Sequence, residues 1–396
     1  MRGLLVAIAI MLVAGTLSAQ DDVTAVVGDQ TIEYRYTPID QTSHTQTGIE
    51  RFGLRLNDYL TMAADDKRGV KFSVVGAPAY SENTGWRLSA VATMHYRTQN
   101  VDLPHTLSLR GMASLRGCYS LALDGVNYFG TTRHELRYGG GFGRESAFLY
   151  GLDYDASLQG MRGGYVMRDY NAYLHYFYHI NSVLTLGLRA DYNGEILVNC
   201  DDRVDAILSG AETMFSGVGL GVNMTYSTRR TKDINVVRGV YLRVEYIVHP
   251  AALTRCGDTL HEVNLTFDYY QPLWRGGLLA LDIYGEHHSA NTPWMMRANL
   301  GGDSRMRGYY YGRFNGNSMA VAQVELRQRV WEGLVLAGWG GCGMTFSVDD
   351  PAAWRKVLPT YGAGLRWYLN SNSVVRIDYA LGRNCSAFVV GYSESF

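Results

Sequence analysis

The chain has 396 residues, a formal net charge of −1 and 18% charged residues, so it has no strong field to attract nucleic acid or an anionic surface. Its hydrophobic content of 47% excludes a disordered chain. Glycine (45) and tyrosine (29) are abundant and proline (8) is scarce. This bias is typical of many strands joined by glycine turns and bordered by aromatic residues.

The first twenty residues have the organisation of a secretory signal. Arg2 precedes an apolar run over residues 3–13, and small residues lead up to Ala19. We expect residues 1–19 to be a signal peptide; a retained helix is the alternative, which the short run disfavours. No later run reaches the roughly 18 apolar residues of a transmembrane helix. An exported chain of this kind is secreted, periplasmic or an outer-membrane barrel.

Residues 20–69 differ from the rest and are expected to form an N-terminal periplasmic segment. Apolar residues from Ile49 to Leu60 recur at helical spacing, which indicates one short amphipathic helix. An irregular lead-in is the alternative.

From residue 70 onward the chain consists of short stretches in which apolar and polar residues alternate. Leu186 and Leu188 oppose Arg189 and Asp191, for example. A soluble β-sandwich also alternates, but it rarely carries charges on nearly every opposite face. The sequence therefore predicts one all-β domain over 70–396, a membrane-spanning antiparallel β-barrel.

We expect sixteen strands in this domain, an even number as bacterial barrels require. The fifth is expected at 145–158, although 132–142 could serve in its place. Connections after even-numbered strands are mostly short, and 289–317 is the longest of the others, as expected for periplasmic turns and outer loops. The expected strands are 71–79, 86–97, 104–115, 118–129, 145–158, 166–178, 183–194, 213–227, 236–247, 260–271, 277–288, 318–329, 333–346, 358–369, 373–383 and 387–396.

The stretch 301–314, between the eleventh and twelfth expected strands, is unlike an ordinary outer loop. Three tyrosines, 309–311, follow Arg307 and Gly308 directly. Adjacent aromatic residues form an exposed apolar patch unless something encloses them. An arginine beside them prefers a carboxylate that its planar guanidinium can meet. We therefore expect a lumenal loop that folds back into the barrel and docks on a polar wall.

A suitable wall strand follows directly at 318–329. Val324 and Leu326 fall on one face of this stretch, whereas Gln323, Glu325 and Arg327 fall on the other. A strand that is apolar outside and charged inside is what a transmembrane barrel requires.

These residues resemble motifs of the BamA/TamA family, the bacterial surface antigen superfamily. Met306, Arg307, Gly308 and Tyr309 are similar to the V-R-G-F/Y motif of its lumenal loop, and the strand after them is similar to its A-E-x-R strand. The resemblance implies that Arg307 bonds to carboxylates inside the barrel, with Glu325 the chief partner.

One strand departs from the family pattern. The family often carries F-x-D-x-G on its thirteenth strand, with the aspartate bonded to the motif arginine. Here residues 339–343 read W-G-G-C-G, so that Gly341 stands at the aspartate position. Asp378, which is expected to face inward on the fifteenth strand, could substitute for it.

The last strands extend the resemblance, which covers 70–396 and therefore the barrel domain only; the roughly fifty residues before it are too few for one of the periplasmic POTRA modules of typical family members. Residues 361–367 and 375–379 are similar to the family's G-x-G-L-R and R-x-D-Y strands, and 391–396 is similar to its C-terminal sorting signal. The expected apolar face of that sorting strand consists of Phe388, Val390, Tyr392 and Phe396.

The function that this resemblance implies is insertion or translocation of other proteins at the outer membrane. Its expected partners are outer-membrane lipid, client outer-membrane proteins or a separate periplasmic chain, and not nucleic acid. A passive or gated channel constricted by the loop is the alternative, and a lipid-modifying barrel enzyme is a third. No catalytic, metal or cofactor motif is recognisable, so we expect neither an enzyme nor a cofactor. Cys200 and Cys256 fall in expected outer loops and could pair or stay free.

Overall fold

The structure is a computed structural model, and it describes residues 23–27, 30–34, 70–81, 85–98, 103–130, 132–232, 235–331, 333–370, 373–391 and 394–396. The signal peptide expected at 1–19 and the helix expected near 49–60 lie outside these residues. Among the residues that the structure does describe, no helix is both long and apolar enough to cross a membrane.

One large antiparallel sheet dominates the chain. Its strand order places the last strand beside the first, which closes the sheet into a barrel. The barrel strands are β3 (Val70–Ser81), β4 (Gly85–Tyr96), β5 (His105–Ser114), β6 (Tyr119–Phe129), β7 (His134–Leu149), β8 (Gly163–His179), β9 (Leu184–Cys200), β10 (Met214–Ser227), β11 (Arg230–Lys232), β12 (Asn235–His249), β13 (Leu260–Trp274), β14 (Gly277–His288), β17 (Ser318–Trp331), β18 (Leu334–Phe346), β19 (Leu358–Asn370), β20 (Ser373–Gly382) and β21 (Cys385–Gly391). Two hairpins lie outside the barrel sheet, β1 (Val23–Val27) with β2 (Gln30–Tyr34), and β15 (Ala298–Leu300) with β16 (Phe314–Gly316).

The predicted barrel is confirmed, and each of the sixteen expected strands corresponds to one long strand. The short strand β11 continues β10, because both pair with β12 in line. The connection between the eleventh and twelfth long strands, β14 and β17, is the long one that contains the β15–β16 hairpin.

The fifth strand was only partly predicted. A single strand, β7, includes most of the alternative stretch 132–142 but only the first part, 145–149, of the expected stretch 145–158, and it pairs with β8 over its whole length. Residues 154–158 form helix α1 (Tyr154–Leu158) instead. Asp153 begins this helix by accepting a hydrogen bond from the Ala156 amide at 2.8 Å, a strong helix start that competes with strand extension.

The two faces of the barrel wall differ in chemistry, as the alternation predicted. Leu188 is 59% exposed on the outside, whereas Asp191 on the same strand is buried. The outer surface carries a broad set of exposed apolar side chains, including Leu88, Leu109, Leu121, Leu123, Phe142, Leu174, Leu186, Val222, Val263, Leu265, Ile283, Val324, Leu326, Leu336, Tyr361, Tyr379 and Phe388. So large an exposed apolar surface suits a lipid environment and not water.

One end of the barrel is covered by connections that pack together. Helix α2 (Asp202–Ile207) lies in the β9–β10 connection and begins at Asp201, whose carboxylate accepts from the Val204 amide at 3.0 Å. Hydrogen bonds from the amides of Val204 and Gly164 lower the pKa of Asp201. An apolar cluster that includes Leu149, Val204, Phe215 and Trp294 joins these connections. Cys200 and Cys256 pack at its edge as free thiols.

Candidate functional site

The connection 289–317, called the lumenal loop from here on, bridges two parts of the barrel wall. The Tyr310 ring packs against Phe148 on β7 and against Tyr150, with centroids 5.8 and 6.0 Å apart. Asn315 donates to the Gly151 carbonyl at 2.8 Å. Arg307 contacts the wall formed by β17–β20, as described below, so the loop crosses the lumen.

A tight turn at the motif residues brings Arg307 to that wall. Met306 has φ 50° and Gly308 has φ 104°, both in the left-handed region that favours glycine. A Cβ atom at Gly308 would lie 3.1 Å from the Leu381 carbonyl carbon of β20. Glycine is therefore required at 308 both for its backbone conformation and for the close approach of the two chain segments.

Arg307 is fully buried and has two carboxylate partners. It donates to Glu325 on β17 and to Asp378 on β20, each at 2.8 Å. Its guanidinium carbon lies 3.6 Å from the centroid of the Trp339 ring, a cation–π contact. Thr360 donates to the backbone carbonyl of Arg307 at 2.6 Å, so both side chain and backbone are fixed.

Glu325 is the hub of the contacts around Arg307. One carboxylate oxygen accepts from Arg307, and the other accepts from Arg327 Nε at 2.8 Å. Arg366 Nη2 on β19 lies 3.1 and 3.2 Å from the two oxygens. Three arginines from three segments therefore share one fully buried carboxylate.

Asp378 is the second shared carboxylate. In addition to Arg307, it accepts from Arg366 and, at 3.3 Å, from Arg376. A Cβ atom at Gly364 on β19 would collide with the Asp378 carboxylate and with Arg366. The glycine therefore leaves the space in which this ion pair forms.

We call this group the arginine cluster: Arg307, Arg327, Arg366 and Arg376 with the carboxylates of Glu325, Asp378 and Glu394. Six of its seven members are buried. Four guanidinium groups face three carboxylates, which leaves one excess positive charge. Removing a partner from a buried ionic group is costly because the remaining charge is desolvated, so the cluster holds the loop specifically.

The glycine at the family's aspartate position leaves no room for a side chain. A Cβ atom at Gly341 would lie 2.6 Å from Gln323 Cβ and 2.7 Å from the Ala322 carbonyl oxygen. Trp339, two residues earlier, supplies the aromatic face under Arg307 instead, while Asp378 supplies the second carboxylate. The residues singled out from the sequence, Arg307, Glu325 and Asp378, thus lie together.

The three tyrosines of the loop have different environments, although the loop docks on the polar wall as expected. Tyr309 is buried; its hydroxyl donates to the Pro359 carbonyl at 2.7 Å and accepts from the Arg383 amide at 2.6 Å. Tyr310 is partly buried, and Tyr311 is 63% exposed. Only the first tyrosine is directed by the Arg307 turn toward β19 and β20.

A second loop anchor was not assigned from the sequence. Arg305 meets the buried Asp282 of β14 with two parallel bonds, at 2.9 Å from Nε and 2.8 Å from Nη2. Its guanidinium also lies 4.1 Å from the Tyr284 ring centroid, and Gln323 donates to the Ser304 carbonyl at 3.2 Å. The inward position of Asp282 in its alternating strand was the available signal.

The loop is also tied to the connections above it. Asp350 accepts from the Tyr154 amide at 3.1 Å and pairs with Lys356. Although burial raises the pKa of Asp350, the Lys356 ammonium and the Tyr154 amide outweigh it and lower that pKa. The Tyr154 ring packs on Phe314 of the loop, with centroids 5.6 Å apart.

The expected sorting strand is shorter than predicted. Strand β21 ends at Gly391, and Phe388 is 61% exposed on the outside, as expected for its apolar face. Tyr392 lies outside the described residues. Phe396 is not on the outer face: its ring lies over Arg327 at 5.5 Å and its backbone oxygen accepts from Arg327 at 3.3 Å. The positive charge of Arg327 on the inner wall attracts the end of the chain away from the outer face.

The solved structures that are similar to this chain include the following three. BamA from Haemophilus ducreyi lacking POTRA domains 1–3 matches with a TM-score of 0.58 and 13% identity, over 82% of this chain and 68% of that one. CdiB from Escherichia coli gives 0.57 and 12%, over 96% and 67%. CdiB from Acinetobacter baumannii gives 0.54 and 14%, over 82% of this chain and 59% of that one.

At these identities the likeness shows the fold alone. No family model and no curated protein matches the chain by sequence. The resemblance that the motifs suggested is thus supported for the barrel, whose fold is that of BamA and CdiB.

Proposed function

We propose that this barrel is an integral protein of the bacterial outer membrane that works in the insertion or translocation of other proteins. The observation that carries the proposal is the lumenal loop fixed by Arg307 between Glu325 and Asp378, inside a barrel with the fold of BamA and CdiB. Residues 1–19 would direct export and 70–396 would form the membrane domain.

The two faces of the wall support the membrane location. Leu188, Val222 and Phe388 belong to an exposed apolar surface around the ring, and charged side chains such as Asp191 and Glu325 are buried on the inner side. A charged residue on the lipid face would cost about 2–4 kcal/mol at the membrane midplane, which explains why the charges lie inside.

The junction of the last and first strands is where we expect a client to enter. β21 (Cys385–Gly391), the last strand of the sheet, lies beside β3 (Val70–Ser81), the first strand of the barrel. Backbone N–H and C=O groups without a strand partner can template a new strand. A client strand would add there by main-chain hydrogen bonds.

Reconstitution tests this function. The purified chain in vesicles of outer-membrane lipid is given an unfolded barrel client, and folded client is counted by its heat-modifiable migration on a gel. We expect faster client folding than in empty vesicles, and faster than with a boiled, refolding-incompetent sample. Equal rates in all three would reject the assembly function.

A gated channel is the second candidate, and the loop crossing from Arg307 to Tyr310 is the observation that favours it. Sixteen strands enclose a lumen wide enough for water, and the loop would constrict it. Conductance in planar bilayers distinguishes a gated channel from an assembly factor. A channel should pass ions steadily with the wild-type loop, whereas an assembly factor should conduct chiefly after residues 301–314 are deleted.

A further inference from the structure

Residues 394–396, called the tail, turn away from the wall and enter the arginine cluster. Strand β21 ends at Gly391, opposite Arg376 on β20. Beyond it, Glu394 accepts from Tyr368 and lies 3.4 Å from Arg366 Nε, both on β19. Ser395 then donates to Glu325 on β17 at 3.3 Å. The tail therefore passes over the inner faces of the strands that hold the loop.

The tail and the loop share their partners. Glu325 accepts from Arg307 of the loop and from Ser395 of the tail through the same oxygen. Arg366 pairs with Glu325, with Asp378 and with Glu394. Arg327 pairs with Glu325 at 2.8 Å and with Glu394 at 3.4 Å. Any change in one segment therefore alters the charge that the other one meets.

The charges of the arginine cluster determine whether the tail favours or opposes docking of the loop. With Glu394 in place, the cluster has one excess positive charge; without it, four arginines would face only Glu325 and Asp378. Arg327 would then compete more strongly with Arg307 for Glu325, and Arg366 would compete more strongly for both Glu325 and Asp378. In a low-dielectric interior such an imbalance is poorly screened. Glu394 thus favours docking of the cationic loop.

We propose that the tail is an intramolecular latch: docking of residues 394–396 and docking of the lumenal loop stabilise each other through Glu325, Arg327 and Arg366. Release of the tail at the end of β21 loosens the loop, and release of the loop loosens the tail. Docking of the loop across the lumen is in this way linked to β21, the strand that borders β3.

Hydrogen–deuterium exchange on the purified full chain in lipid nanodiscs tests the latch. Two sets of peptides are followed, covering 301–314 and 385–396. Glu394→Gln keeps the side-chain size and removes the charge; we expect exchange in the loop peptides to quicken about tenfold, within the range of coupling between sites. Arg307→Ala should quicken the tail peptides by a similar factor, because such coupling is reciprocal.

The double variant and a control complete the design. In the double variant, Arg307→Ala with Glu394→Gln, the fold-increase in the exchange rate of each set of peptides should be smaller than the product of the fold-increases in the two single variants. Glu262→Gln is the matched control, since Glu262 is a lumenal carboxylate on β13 that accepts from Asn264; neither set of peptides should change. Tyr368→Phe removes only a hydrogen bond to Glu394 and serves if Glu394→Gln does not fold.

The latch is overturned if either Glu394→Gln or Tyr368→Phe loosens the tail peptides while the loop peptides keep wild-type exchange. It is also overturned if Arg307→Ala leaves the tail unchanged. The readout needs no client, so failure of the assembly function and failure of the latch are distinguishable.

Discussion

Replacing Arg307 should release the lumenal loop without opening the barrel wall. Arg307→Ala removes two charge-assisted hydrogen bonds of 2.8 Å and the cation–π contact with Trp339. Glu325 keeps Arg327 and Arg366, and Asp378 keeps Arg366 and Arg376. No carboxylate is left bare, and the cluster becomes neutral.

These remaining partners determine how much loop-docking free energy Arg307→Ala removes. Removing one member of a buried pair usually costs about 3–5 kcal/mol, but here the other arginines compensate part of the loss. We expect about 2–3 kcal/mol of loop-docking free energy to be lost, from bonds to charged groups worth about 1.5–3 kcal/mol each. Glu325→Gln should cost more, because it leaves four guanidinium groups facing only Asp378 and Glu394.

Chymotrypsin cleavage after Tyr309, identified from the mass of the fragments, measures the released loop, since Tyr309 is buried while the loop is docked and Tyr311 is exposed in either state. When opening is fast relative to cleavage, the rate follows the open population. A loss of 2–3 kcal/mol then corresponds to roughly 30- to 150-fold faster cleavage. Arg355→Ala is the control, because the Arg355–Asp155 pair is exposed and its loss should leave the rate unchanged.

Two results would refute this reasoning. One is wild-type cleavage in Arg307→Ala, which would mean that the buried ion pairs do not hold the loop. The other is a smaller effect of Glu325→Gln than of Arg307→Ala, which would mean that charge balance in the arginine cluster does not govern docking.

Three further predictions concern separate parts of the chain. Gly308→Ala should cost about 1–3 kcal/mol of loop docking, because 308 has a positive φ and touches β20; the same cleavage assay measures it, and a wild-type rate would contradict the turn. Phe388→Asp places a charge on the exposed outer face of β21 and should cost about 2–4 kcal/mol if it lies near the membrane midplane; folded, heat-modifiable protein at wild-type levels would argue against a lipid-facing position. Asp350 has a lowered pKa in the folded chain, so its contribution is present above the ordinary aspartate pKa of about 3.9 and is lost as the pH falls through the folded value. Asp350→Asn should therefore make the 347–357 connection more protease-sensitive at pH 7 and have little effect below the folded pKa; an equal effect at both pH values would exclude the charge as the cause.

The barrel could be predicted from the sequence because side-chain alternation has the same period as the strand. In β9, Leu186, Leu188 and Asp191 fall on the faces that the pattern assigned. Arg307, Glu325 and Asp378 could be brought together because the motif resemblance implied carboxylate partners for Arg307, and the inward positions of Glu325 on β17 and Asp378 on β20 were identifiable from alternation. Strand ends were harder, as shown by residues 154–158, where a helix cap at Asp153 outweighs strand continuation.

The path of the tail could not be read from alternation alone. Phe388 and Phe396 belong to the same apolar pattern, yet Phe388 faces outward and Phe396 lies over Arg327. The difference arises from charge on other strands, since Arg327 and Arg366 attract Glu394 away from the sheet. The Arg305–Asp282 anchor depends on the folded course of the loop in the same way.

Photo-crosslinking during client assembly tests the central claim most directly. A photoreactive residue replaces Val390 on β21, next to the junction with β3, or Val324 on the outer face of β17. A client barrel arrested in assembly is then added to the reconstituted protein and irradiated. If clients enter where β21 meets β3, position 390 should crosslink to client and position 324 should not; no crosslink from 390, or equal crosslinking from both positions, would contradict entry at this junction.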